Sequence, residues 1–177
     1  MFSHLTSQLT EALQRLARKE GTTLFMVLLA AFKVLLARYS GETDVIVGSP
    51  IANRERSELE GLIGFFAHTQ ALRTDLSGDP TFVQLLARVR EVALAAYDSQ
   101  EVPFDKLVEE LRPERQLNRN PFFDISFSFQ NLPLLAVDAS DLDVELLRID
   151  NGSSKFELSL VIVEAGDHLM TTVEYST

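Results

Sequence analysis

The stretch LFMVLLAAFKVLLA, Leu24 to Ala37, is apolar around nearly its whole circumference. A helix of that kind has no face to offer water, so other elements must cover it on most sides. Any fold for this chain is therefore built around it. Lys33 interrupts the run, which is shorter than the roughly 20 apolar residues needed to cross a bilayer. The prediction is a buried helix inside a globular domain, with Thr22 or Thr23 capping its start and Gly41 ending it.

The remaining periodicities supply the cover. Leu5, Leu9, Ala12, Leu13, Leu16 and Ala17 form a one-sided stripe between Ser3 and Glu20, which predicts an amphipathic helix closed by Gly21. DVIVGSP, Asp44 to Pro50, is a β-branched run stopped by glycine and proline, and predicts a buried strand. A second strand is expected around Phe66 to Asp75. A long helix should follow Asp79-Pro80, with Phe82, Leu85, Leu86, Val89, Val92, Ala93 and Ala96 on one face. Pro103 opens a shorter helix carrying Phe104, Leu107, Val108 and Leu111, and Pro113 closes it.

The tail changes period. Phe123, Ile125, Phe127 and Phe129 alternate with Asp124, Ser126, Ser128 and Gln130, so one strand face is apolar and the other polar. Strand-like runs follow near Val144 to Ile149, Lys155 to Val163 and Leu169 to Tyr175, the last two joined across EAGDH by a hairpin. Helices alternating with strands in this way predict an α/β fold, a mixed β-sheet flanked by helices.

With 177 residues the chain suffices for one domain or half of a larger enzyme. The formal charge of −10, with no tight basic cluster, argues against a nucleic-acid surface. The absence of cysteine removes disulfides, zinc-thiolate sites and cysteine nucleophiles together, and makes a reducing cytoplasm the expected compartment. No basic segment leads into an apolar one at the N-terminus, so no signal peptide is read there, and no membrane partner is expected. The last residues, TTVEYST, are still in strand pattern, which suggests a piece of something longer.

Chemistry is sparse. Ser49 in VGSPI lacks the glycine spacing of a nucleophile elbow and reads as a turn residue. His4, His68 and His168 lack metal-ligand spacing, and DASDLD (Asp138, Asp141, Asp143) lacks the glycine and terminal glutamate of a calcium loop, so no metal is expected. No phosphate-binding glycine loop occurs. Three polar islands remain: His68-Thr69-Gln70, the stretch Glu114 to Asp124, and the Ser126/Ser128/Gln130 face. Periodicity alone favours a half-exposed sheet with a capped loop. The sharper alternative is that the islands line one channel.

At these islands the sequence resembles the C-terminal half of the condensation domains of nonribosomal peptide synthetases. IGFFAHTQALR resembles the motif I-G-x-F-V-N-T-x-x-x-R, SQEVPFDKL resembles H-Q-D-x-P-F-E, and RQLNRNPFF resembles R-D-x-S-R-N-P-L, all in the family's order. KFELSL, Lys155 to Leu160, matches a recurrent K-F-D-L strand. His68 stands where the family has asparagine, Ser99 where it has histidine, and Asp105 where it has glutamate.

The resemblance implies that residues 1–177 form one lobe of a two-lobed fold of the chloramphenicol-acetyltransferase type. In that fold a donor thioester and an acceptor amine meet in a tunnel between the lobes, each carried on the 4′-phosphopantetheine arm of a peptidyl carrier protein. The catalytic motif H-H-x-x-x-D-G belongs to the N-terminal lobe, and no such motif occurs in this sequence. The implied activity is amide-forming acyl transfer by the parent synthetase, with no catalytic residue in this fragment and no cofactor bound directly to it. Arg119 and Asn120 are implied near the channel. By position Thr69, Ser126, Ser128 and His68 join them as channel-wall or substrate-orienting candidates. A plainer reading has Arg119-Asn120-Pro121 fixing the turn into the next strand and His68 tolerated in a packed strand. Implied partners are the N-terminal lobe, peptidyl carrier proteins and a neighbouring adenylation domain, with self-association of the isolated fragment through its exposed inter-lobe surface. Alternatives are an ester-forming, epimerising or cyclising relative, or a non-catalytic module that docks carrier proteins.

Overall fold

The structure, a computed structural model, describes residues 1–52, 58, 61–64, 66–113, 119–130 and 152–176. In chain order these form β1 (Phe2–Leu5), α1 (Ser7–Lys19), α2 (Leu24–Ser40), β2 (Asp44–Ile51), β3 (His68–Asp75), α3 (Phe82–Asp98), α4 (Phe104–Leu111), β4 (Ile125–Gln130), β5 (Leu158–Ala165) and β6 (His168–Tyr175). The expected strand at Val144 to Ile149, the DASDLD run and the first part of the polar stretch, 114–118, lie outside the described residues.

The apolar helix behaves as its composition demands. Thr23 caps α2 by accepting from the Met26 N–H, and Gly41 ends it in the left-handed region at φ 78°. Met26 to Ala30, Phe32, Lys33 and Leu36 are all buried. Helices α1 and α3 flank it, and the sheet forms its floor. The start of α3 is held by a reciprocal cap, in which the Gln84 N–H donates to Thr81 Oγ1 while Gln84 Oε1 accepts from the Thr81 N–H.

The sheet has six strands in the order β1-β6-β5-β4-β2-β3. The central strands β2, β4 and β5 run parallel, whereas β3, β6 and β1 join antiparallel to their neighbours, so the sheet is mixed as expected. The hairpin across EAGDH forms, with Leu158 opposite Tyr175 and Ala165 opposite His168.

One expectation fails at the N-terminus. The chain before Ser7 is a strand, not the first turn of a helix: Phe2 to Leu5 pair with Thr172 to Leu169. Met1 adds two backbone links, its ammonium donating to the Val173 carbonyl and its carbonyl accepting from the Val173 N–H, each at 2.8 Å. Thr6 then caps α1. Leu5 fits both the helical stripe and a strand, and the free edge of β6 decides between them.

Strand alternation divides the side chains between two faces. Val45, Val47, Leu72, Phe127, Ile162 and Leu169 point to the helices and complete the core. Phe127 is fully buried there, its ring 5.5 Å from that of Phe25 and 5.8 Å from that of Phe32, within the range of favourable aromatic pairs. The second face carries Gly48, Thr69, Ser126, Ser128 and Ser159. At one end of that face Phe123 lies over Gly48, and a Cβ at Gly48 would collide with the Phe123 ring. Phe104 of α4 packs edge-on against Phe122 and Phe123, and Phe123 stacks on Phe156.

Candidate site on the second sheet face

Ladder register aligns the polar candidates into rows. Thr69 of β3 is opposite Pro50 of β2, and Gly48 of β2 is opposite Ser126 of β4. Ser126 is in turn opposite Ser159 of β5, and Ser128 opposite Val161. Counting two residues on from Gly48 and Ser126 puts Pro50 level with Ser128, so Thr69, Pro50, Ser128 and Val161 share one row. Gly48, Ser126 and Ser159 share the next. Neighbouring strands lie about 4.8 Å apart, so Thr69 and Ser128, two strands apart, are separated by about 10 Å. That spacing suits two hydroxyls addressing different groups of one extended ligand.

The row through Thr69, Pro50, Ser128 and Val161 carries small or apolar side chains, whereas in the next row the Phe123 ring covers Gly48. Ser126 is buried and Ser128 is half-buried. The hydroxyls can donate to or accept from carbonyl and amide groups. Thr69, Ser126 and Ser128 thus come together on one face.

Arg119 stands apart from them. Its guanidinium faces Asp124 at 3.8 Å and Glu157 at 3.4 Å, at the entrance to β4 and β5. The Glu157 N–H donates to the Asp124 carbonyl at 2.9 Å, so Arg119 clasps the place where the parallel pair begins. Asp124 precedes Ser128 by four residues, about 13 Å along the strand. Asn120 is exposed beside Arg119. The local geometry therefore shows a turn-fixing ion cluster, and no contact between Arg119 and the hydroxyl rows is found among the described residues.

His68 is also separated from Thr69, by the pleat. It begins β3 opposite Ile51 and shares the helix-facing side with Gln70, Leu72 and Thr74. Its Nε2 is buried and has no hydrogen-bond partner among the described residues. Gln70 is engaged, its Nε2 donating to the Ala96 carbonyl of α3 at 2.6 Å. The polar trio His68-Thr69-Gln70 thus serves two faces in turn.

Two features escaped sequence reasoning. Ser49, expected in a turn, lies within β2 and is buried. With Thr23, Phe25, Gln70, Tyr97 and Phe129 it lines a cleft of about 440 Å³ between the helices and the end of the sheet. Burial there raises the Tyr97 phenol above its ordinary pKa. A serine inside a β-branched run was the available signal, and the following proline obscured it.

The second feature is Lys33. Fully buried, its Nζ donates to the carbonyls of Val45 at 3.1 Å and Leu72 at 2.6 Å and to Thr74 Oγ1 at 2.8 Å. Burial pulls its pKa from 10.5 down to about 7, opposed by the negative charge of Asp44. On the exposed end of the same strand pair, Arg73 grips Asp44 through Nε at 2.9 Å and Nη2 at 2.6 Å, which holds the Asp44 carboxyl below its usual range. Arg73, the last residue of IGFFAHTQALR, therefore has a cross-strand partner.

Known proteins share the sequence pattern and the fold of this chain. One of the linear gramicidin synthase proteins of Brevibacillus parabrevis is 51% identical over 98% of this chain, which spans 2% of that protein's length. A holo four-domain nonribosomal peptide synthetase bound to AMP and glycine superposes with a TM-score of 0.89 at 23% identity, over 99% of this chain and 14% of the other. The X-domain from teicoplanin biosynthesis, in its complex with OxyB, superposes with a TM-score of 0.84 at 25% identity, over 99% of this chain and 39% of the other. A sequence model of the family described as "Condensation domain" matches residues 2–177, so with motifs, sheet and match all in agreement, the chain belongs to the condensation domain family.

Proposed function

We propose that the chain is the C-terminal lobe of a two-lobed condensation domain, and that it supplies one wall of the tunnel in which a nonribosomal peptide synthetase forms amide bonds. The observation that carries this reading is the juxtaposition of Thr69, Ser126 and Ser128 on the sheet face opposite the helix-packed core. That the chain spans 39% of the superposed X-domain chain supports a lobe-sized unit of a larger fold.

In the proposed reaction the acceptor amine nitrogen attacks the donor thioester carbonyl. A C–N bond forms, the C–S bond breaks, the thiol of the donor arm leaves, and the amine gives up a proton. The phosphopantetheine arms arrive as part of the carrier-borne substrates. This chain's hydroxyls would orient substrate carbonyls and amides, each hydrogen bond contributing about 0.5–1.5 kcal/mol. The proton-handling histidine would come from the N-terminal lobe, since this sequence has no H-H-x-x-x-D-G. General acid–base catalysis is worth on the order of 10²- to 10⁴-fold, and loss of the facing wall removes positioning as well. The chain alone should therefore be inactive, with carrier proteins and an adenylation domain as neighbours in the parent synthetase.

The test is amide formation from donor- and acceptor-loaded carrier proteins, comparing this chain with one extended through its native upstream lobe. Turnover only in the extended chain is the expected result, and appreciable turnover by residues 1–177 alone would overturn it. A second reading, a non-catalytic docking module, is favoured by the likeness to an X-domain that forms a complex with OxyB. Inactivity of both chains, together with carrier-protein binding by either, would move the assignment to it.

A further inference from the structure

The Lys33 site matches donors to acceptors one for one. An ammonium has three N–H donors, and Lys33 has three oxygen acceptors in reach: two strand carbonyls and one hydroxyl. A neutral amine has two N–H donors and one lone pair. The two carbonyls can only accept, but the Thr74 hydroxyl can also donate. Turning the Thr74 O–H toward Nζ would satisfy the neutral amine as fully as the present arrangement satisfies the ammonium.

We propose that Lys33 and Thr74 form a proton-tolerant clamp on the β2–β3 pair, in which reversal of the Thr74 hydroxyl keeps three hydrogen bonds to Nζ in either protonation state. Val45 lies on β2 and Leu72 and Thr74 on β3, so one side chain from α2 fixes both strands and thereby the level of Thr69 and Gln70 further along β3. A buried amine lacking such a reversible partner would leave either a donor or a lone pair unsatisfied when it titrates, at the cost of a desolvated polar group.

The surroundings leave few other groups to confuse the titration. On β2 the nearby charge is Asp44, and on β3 it is Arg73 and Asp75; alternation puts all three on the opposite sheet face from Thr74. Helix α3 turns Leu85, Leu86, Val89 and Ala93 to the core. Its Arg88 reaches past the site to the carbonyls of Asp75 and Ser77. Of these charges, Asp44 is the one that acts on Lys33. The clamp stands independently of the proposed amide-forming role.

The protein has four lysines, and Lys19, Lys106 and Lys155 are exposed, so ¹³C labelling at lysine Cε resolves Lys33 against three internal references. Lys33 should titrate well below the other three. Thr74→Val should lower that midpoint further, by about one pH unit, because the charged form loses the stronger hydrogen bond. Thr74→Val should also lower the unfolding temperature at about pH 9, where Lys33 is neutral and the hydroxyl is the donor. Thr74→Ser should restore both values. A Lys33 midpoint equal to that of the exposed lysines would overturn the clamp. So would a Thr74→Val protein that matches the parent's unfolding temperature at about pH 9, since the hydroxyl would then serve the charged form alone.

Discussion

The two faces of the sheet are made by the same strands and have opposite tolerances. On the helix-covered face Phe127 is enclosed and packed against two rings of α2, and even a lysine is accepted only because three oxygens meet its amine. One residue away on either side, Ser126 and Ser128 face the second layer, where small side chains and hydroxyls line up in rows. Alternation along a strand thus separates what packs under the helices from what the second face presents.

That separation can be broken experimentally. Phe127→Ala should cost about 3–5 kcal/mol in denaturant unfolding, because it empties an enclosed site beneath α2. The neighbouring Ser128→Ala should stay within about 0.5 kcal/mol. Equal losses would show that the second face is core as well. Gly48→Ala tests a place where that face is tightly packed: the new methyl meets the Phe123 ring, and a loss of about 1–3 kcal/mol is expected. Combining it with Phe123→Leu should give less than the sum of the two single losses if the collision is the cause.

The smallest effect is expected at the exposed rim. The Asp44 carboxyl has a lowered pKa in the folded chain through its hydrogen bond from Arg73, so its contribution is present above the ordinary aspartate range and is lost as pH falls through the folded value. Asp44→Asn should abolish that acid-side slope while barely moving the unfolding midpoint at neutral pH, and added salt should erase what remains.

Much of this organisation was legible beforehand. The all-round apolar helix, its threonine and glycine caps, and the period-two run through Phe127 each have a local physical cause that survives in isolation. The site was less legible. Thr69 and His68 are adjacent letters that the pleat sends to opposite faces, and Ser126 and Thr69 are brought onto one face only by pairing each of their strands with β2. Arg119 carried the motif resemblance, yet its partners Asp124 and Glu157 meet it through the junction of two parallel strands. The first strand was missed because Leu5 satisfies both periods, and the choice belongs to β6, far along the chain.

By itself, then, the sequence determined most of the described element types, the presence of a buried helix at the centre and the family, because periodicity, capping and motif order are local properties of the chain. Only the tertiary structure decided which strands are neighbours, which hydroxyls share a row and what a lysine inside an apolar helix is for. Those facts depend on long-range pairing and on the oxygens that happen to lie within reach once water has been excluded.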